Sequence, residues 1–240
     1  MPLDHTATDH TATDHTATDH TATDHAATLA SAARLVADAL SADDYLRARP
    51  QYRSYVLRHK ERRRVRLGPN AVLLFESYET ATYQLHEVLH AEGRTPTRLA
   101  REASEYAKLV ALPGELRATL LVDGNDTRVC RGIAQRCTTP GAVMLQIGRC
   151  RVASRPVERH ADPQDPIQYL RFQLGSDARL ALSDASSVVH VVLADSLGPR
   201  CELPPLVRSA LADDACSRAS QTRIADFVPA FVSPSSTTQR

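Results

Sequence analysis

Residues 58–93 read RHKERRRVRLGPNAVLLFESYETATYQLHEVLHAEG, and these 36 positions run through a basic stretch, a turn, an apolar strand and an amphipathic helix. Gly68-Pro69-Asn70 breaks the chain, since glycine accepts turn dihedrals and proline fixes φ and lacks a donor. Residues 71–75 (AVLLF) are apolar, short and bounded, which predicts a buried strand. From residue 79 to about residue 92, Ala81, Leu85, Val88 and Leu89 fall on one face at helical spacing, and Gly93 is a natural stop.

Upstream, residues 29–40 (LASAARLVADAL) are amphipathic and predict the first helix. Ser41, with Asp43 and Asp44 behind it, is a plausible N-cap for the next. Pro50 is expected to interrupt that helix or open a fresh segment. Downstream the pattern predicts helices over 98–109 and 126–136 and strands over 116–122, 142–147, 149–153, 167–174 and 188–193. Several successive strands mixed with helices argue for an α+β single domain with a mainly antiparallel or mixed sheet of five to six strands and flanking helices.

Four copies of Asp-His-Thr-Ala-Thr fill residues 4–23, and a decayed fifth follows at 24–28. A five-residue period places successive histidines about 140° apart on a helix, and the unit offers no large apolar residue to bury. Residues 1–28 are therefore expected to be a disordered tail, residues 29–212 the domain, and the Ser-, Thr-, Asp- and Pro-rich residues 213–240 a second loose tail.

The formal charge is +1, but residues 1–28 hold five aspartates and no Lys or Arg, so the remainder carries 29 basic against 23 acidic residues. That excess fits one basic patch better than a dedicated nucleic-acid binder. The five cysteines, Cys130, Cys137, Cys150, Cys201 and Cys216, form no C-x-x-C pair, which points to reduced structural thiols. With no signal-like N-terminus and no apolar run near membrane-spanning length, the expected location is the cytoplasm.

Three groups could carry chemistry. His86-Glu87-Val88-Leu89-His90 spells H-E-x-x-H, in which two histidines on one helix face hold zinc and the Glu serves as general base. The metzincin third-ligand position is Pro96, which has no donor atom. The carboxylates Glu76, Glu87, Glu92, Asp123 and Asp195 could gather from strand ends and bind iron, with Arg63 or Arg171 as counter-charges. The basic residues Arg58, Lys60, Arg62, Arg63, Arg64 and Arg66 could grip phosphate. No Walker or dinucleotide glycine motif is present.

Arg49-Pro50-Gln51-Tyr52-Arg53, His59-Lys60, Arg62-Arg63-Arg64-Val65, Leu67-Gly68-Pro69, Leu74-Phe75-Glu76, Thr80, Tyr83-Gln84 and Glu87 form a connected pattern. Ala118-Thr119, Asp123 and Tyr169-Leu170-Arg171-Phe172 extend it more loosely. The pattern, over about residues 36–212, resembles the bacterial domain of unknown function 3501 family. After the last strand this chain departs from it, reading Asp195-Ser196-Leu197 where an Asp-His-Pro-like segment is expected.

The resemblance implies no established activity. It does imply gene neighbours, a rubrerythrin-like diiron protein and an iron–sulfur oxidoreductase, and through them oxidative-stress or electron-transfer metabolism. The leading expectation is a cytoplasmic accessory or binding protein without turnover of its own. The alternatives are a zinc-dependent hydrolase through His86, Glu87 and His90, and a phosphate or nucleic-acid binder through residues 58–66. Zinc or iron is the metal these sites would hold.

Overall fold

The computed structural model describes residues 14–157, 165–193, 200–216 and 222–228. In chain order the elements are α1 (Asp14–Ala37), α2 (Ala42–Glu61), β1 (Arg64–Arg66), β2 (Ala71–Phe75), α3 (Tyr78–Glu92), α4 (Pro96–Ala107), β3 (Glu115–Val122) and α5 (Thr127–Arg136). Then follow β4 (Val143–Ile147), β5 (Cys150–Pro156), β6 (Ile167–Gln173), α6 (Ser176–Ser183), β7 (Val189–Leu193), β8 (Cys201–Glu202), α7 (Pro205–Ala215) and a 3-10 turn over Ile224–Phe227. The strands join in the order β1-β2-β3-β6-β5-β4-β7-β8, and every neighbouring pair is antiparallel.

The α+β class with an antiparallel sheet is as expected, but among the described residues the sheet has eight strands rather than five or six. The two edge strands, β1 and β8, account for the difference. They are three and two residues long, too short for alternation to show in sequence.

β5 ties the sheet together by changing partner along its length. Residues 150–153 pair with β4, and residues 154–156 pair with β6. At the changeover the fully buried Ser154 accepts the Val143 N–H on its hydroxyl at 3.0 Å.

Period-two alternation sorts the strand residues between two faces. Ala71, Leu73 and Phe75 of β2 and Leu116, Ala118, Leu120 and Val122 of β3 enter the main core, with apolar residues of α5, α6 and α7. The opposite face of β3 carries Glu115, Arg117 and Thr119, also buried but polar. Thr119 reaches Glu76 just ahead of α3, and Arg117 reaches the Lys108 carbonyl just after α4. Leu35, Leu85, Leu89 and Leu99 form a second core among α1, α3 and α4. A third joins Tyr45, Tyr52 and Val56 of α2 to Ile224.

Both tail boundaries move outward from those expected. α1 begins inside the repeat, at Asp14 instead of residue 29. Once Leu35 is docked in its core the helix extends N-terminally at little cost, because propagation needs no new nucleus. At the other end α7 runs to Ala215, past the expected boundary at residue 213. Phe227 then packs on Tyr52 and Tyr55 with ring centroids 5.2 Å apart in each case. Residues 1–13, 217–221 and 229–240 of the expected tails lie outside the described residues.

Ser41 caps α2 as expected, accepting the Asp44 N–H at 3.1 Å. α2 nevertheless continues through Pro50. The carbonyl that Pro50 leaves without a partner belongs to Leu46, which is 52% exposed, so water can take the bond. Among the described residues no helix is long and apolar enough to cross a membrane. None of the five cysteines forms a disulfide, and burial pushes the Cys137 thiol up to about 11.

Candidate functional site

The turn from β2 into α3 builds the most concentrated buried polar group among the described residues. Ser77 is the N-cap of α3 and exchanges hydrogen bonds with Thr80: the Thr80 N–H donates to Ser77 Oγ at 3.3 Å, and the Ser77 N–H donates to Thr80 Oγ1 at 2.9 Å. This cap fixes the residue before it. Glu76, 3% exposed, takes the Thr80 hydroxyl on Oε2 and the Thr119 hydroxyl on Oε1, each at 2.5 Å, with Gln84 Nε2 at 3.4 Å.

Lys60, near the end of α2, approaches from the other side with its ammonium 5.5 Å from the centre of the Tyr83 ring. Burial holds the Lys60 pKa below its ordinary value, and the Glu76 charge opposes that shift. Residues 80 and 84 on one helix face, the strand-end carboxylate and a residue across the β2–β3 ladder thus meet at one point.

Beside this point lies a second network. The Arg63 guanidinium donates to His59 Nδ1 at 3.3 Å and to both oxygens of Asp214 at 2.8 and 3.1 Å. Arginine can only donate, so Nδ1 accepts and the His59 proton sits on Nε2, 2.8 Å from Ser77 Oγ and 3.7 Å from Glu79. A histidine in that tautomer cannot take a proton from Ser77 through Nε2, so the pair does not form a nucleophile and base. Burial, with Arg63 and Arg62 nearby, pulls the His59 pKa down to about 3. Burial raises the Asp214 pKa against the opposing pull of Arg63. A cavity of 330 Å³ lies over this network, with Ser31 and Arg34 of α1 on one side and Glu76, Ser77, Glu79 and Asp214 on the other.

The H-E-x-x-H residues sit on a different part of α3. His86, 2% exposed, places Nδ1 at 2.8 Å from the Thr82 carbonyl and receives the Leu40 N–H on Nε2 at 3.1 Å. A carbonyl only accepts and a backbone N–H only donates, so His86 is the neutral Nδ1–H tautomer with both nitrogens committed. Burial lowers its pKa to about 4. Glu87 holds Arg49 through two hydrogen bonds at 2.7 and 2.8 Å and accepts the Tyr45 hydroxyl. The Arg49 bonds pull its carboxyl down to about 2. His90 is exposed, and the Tyr45 ring stands beside both imidazoles at centroid distances of 4.9 and 6.0 Å.

The carboxylates expected to gather do not. Glu76 and Asp123 flank opposite ends of the β2–β3 ladder, in which Ala71 pairs with Val122 and Phe75 with Ala118. At about 3.4 Å per residue that puts them roughly 20 Å apart. Glu87 faces Arg49, exposed Glu92 lies 3.9 Å from Arg98, and Asp195 lies outside the described residues. Among the described residues no three His, Cys, Asp or Glu side chains are grouped to hold a metal ion.

The basic run is likewise divided. Arg63 is 5% exposed and tied to Asp214, Arg58 and Arg62 are exposed at the end of α2, and Arg64 and Arg66 alternate outward from edge strand β1 around buried Val65. Arg64 and Arg66 instead line a shallow groove with Asp123 and Asp126. Glu79 and Asp214 were not among the residues expected from the sequence. The Arg63–Asp214 pair spans 151 positions and has no local signature.

This geometry defines an α+β protein whose antiparallel sheet carries a buried polar network under α1 and α3. The family model described as "Protein of unknown function (DUF3501)" matches residues 35–215, and the chain belongs to that family. Its structure is similar to the crystal structure of a novel protein of unknown function from Burkholderia pseudomallei, with 26% sequence identity and a TM-score of 0.65. The likeness covers 73% of this chain and 95% of that one. No curated protein matches the chain.

Proposed function

We propose that the protein is a cytoplasmic binding or accessory protein with no turnover at His86-Glu87-Val88-Leu89-His90, working with a rubrerythrin-like protein and an iron–sulfur oxidoreductase. One observation carries the first half: both ring nitrogens of His86 are hydrogen-bonded to the backbone of Thr82 and Leu40. A zinc ligand needs a free lone pair, and His86 could supply one only by abandoning the Leu40 N–H. Glu87, the residue placed to act as general base, is a carboxylate fixed on Arg49 and Tyr45. Support for the second half is the gene neighbourhood that the family resemblance implies.

The test is metal content by elemental mass spectrometry on the full chain beside its His86→Ala, His90→Ala double variant. The repeat histidines contribute equally to both, so the difference reports the α3 pair alone. Equal zinc is expected, and loss of one equivalent in the variant would restore the hydrolase reading. For the partners, capture of the purified rubrerythrin-like protein or the oxidoreductase by the immobilised chain is expected. Failure to retain either would remove the association.

A further inference from the structure

A second concave surface, on the outer face of β5 and β6, has a simpler chemistry. It is a groove of 600 Å³ whose charged lining is Arg151, Arg155, Arg171 and Asp24. Arg151 and Arg155 lie four apart on β5, hence on one face. The register sets Arg155 directly opposite Arg171, and Arg171 directly opposite Arg117. Directly opposed residues on neighbouring strands have Cβ atoms roughly 5 Å apart, and like charges there repel. Three arginines in a row across three strands therefore call for counter-charge.

The fold supplies only part of it. Arg117 is neutralised from within by Glu115 at 2.9 Å. The other Glu115 oxygen, Oε1, is buried without a hydrogen-bond partner and lies 3.7 Å from Arg171. Arg171 holds the Asp24 carboxylate at 3.0 Å. Among the described residues Arg151 and Arg155 have no counter-ion, and both are exposed. Arg171 thus shares Glu115 with Arg117 and holds Asp24, and no further carboxylate among the described residues is paired with Arg151 or Arg155. Asp24 comes from the last Asp-His-Thr-Ala-Thr-like unit, 147 positions away in the chain from Arg171.

We propose that this groove is a binding site for a small phosphate-bearing molecule, and that Asp24 occupies part of it as an internal competitor. Guanidinium forks match phosphate oxygens two at a time, and a multiply charged phosphate engages several forks where a single carboxylate satisfies one. The volume falls within the range of small-molecule sites. A bound phosphate takes the place of Asp24 on Arg171 and spans to Arg155 and Arg151. The site is separate from the proposed protein partners, so neither reading depends on the other.

The experiment is titration calorimetry of the full chain with inorganic pyrophosphate at low ionic strength. It compares wild type, Arg151→Gln/Arg155→Gln and Asp24→Asn, with succinate as a dicarboxylate control. Wild type is expected to bind one equivalent with an affinity that falls as salt rises. The double arginine variant, altered only at exposed positions and checked by thermal unfolding, is expected to bind about tenfold more weakly, the effect of losing charge-assisted hydrogen bonds. Asp24→Asn is expected to bind about threefold more tightly, in line with release of one solvent-exposed ion pair. Absence of binding in both wild type and Asp24→Asn overturns the proposal, as does an affinity unchanged by Arg151→Gln/Arg155→Gln. Succinate binding as tightly as pyrophosphate overturns the phosphate class.

Discussion

On α3, His86 and Glu87 have ring nitrogens and carboxylate oxygens bonded to the fold, whereas on β5 Arg151 and Arg155 have no counter-ion among the described residues. The first region spells a known catalytic string, and the second spells nothing. The difference is one of hydrogen-bond accounting. A motif places residue types at a spacing, but chemistry requires that their lone pairs or protons be free, and only the surrounding fold decides that.

The largest effect is expected on the closed side. Arg63→Ala leaves Asp214 buried and unpaired, and its unfolding free energy by urea titration is expected to fall by about 3–5 kcal/mol. A loss near zero would mean that the network between α2 and α7 is not closed. His86→Ala removes the acceptor of the Leu40 N–H and opens a small void, with an expected loss of about 2–3 kcal/mol by the same measurement. If His86 were instead a free ligand, its removal would cost little and would change bound zinc.

The pH dependence follows from the same geometry. His86 and His59 are held at about 4 and about 3 in the fold against an ordinary 6.5, so the unfolded chain takes up protons first. Their contribution is full above pH 6.5 and is lost as pH falls through about 4 and then about 3. Glu87, at about 2 against an ordinary 4.5, contributes stability that is present above 4.5 and lost as pH falls toward 2. Thermal unfolding between pH 7 and pH 4 is expected to show a falling melting temperature in wild type and a shallower fall in His86→Ala. Parallel curves would contradict the assignment.

Smaller effects sharpen the contrast. Glu87→Gln weakens the Arg49 pair, but the Arg49 side chain is 36% exposed, so about 1 kcal/mol is expected in urea unfolding. Asp24→Asn touches a pair with side chains 31% and 42% exposed, and its stability is expected to stay within about 0.5 kcal/mol of wild type. Stability is thus concentrated on the closed side, while the groove can exchange its counter-ion at little cost to the fold.

Sequence was informative where the signal is local. The Ser41 cap, the strand at residues 71–75, the helix ending at Gly93 with φ 86° and the helix expected over 126–136 each rest on residues a few positions apart. α6 and α7 escaped notice because SDARLALS is a single short turn pair and α7 starts on two prolines. The site was less legible still. Tyr52, His59, Lys60, Glu76, Thr80, Tyr83 and Gln84, which carry the family resemblance, are close in sequence and do converge. Arg63–Asp214 and Arg171–Asp24 join positions 151 and 147 apart, and nothing in their neighbourhoods announces them. The arginine row needed the register of β3, β6 and β5, and β5 runs three residues beyond the Ala153 end expected for it.

The most direct test is the state of the His86 ring, read by long-range nitrogen–proton NMR on the full chain and assigned by comparison with His86→Ala. The account predicts a neutral Nδ1–H tautomer at pH 6 whose Nε2 signal does not move when zinc is added. A ring that titrates near the ordinary 6.5, or an Nε2 signal that shifts with one equivalent of zinc, would contradict it and return the α3 string to the list of candidate catalytic sites.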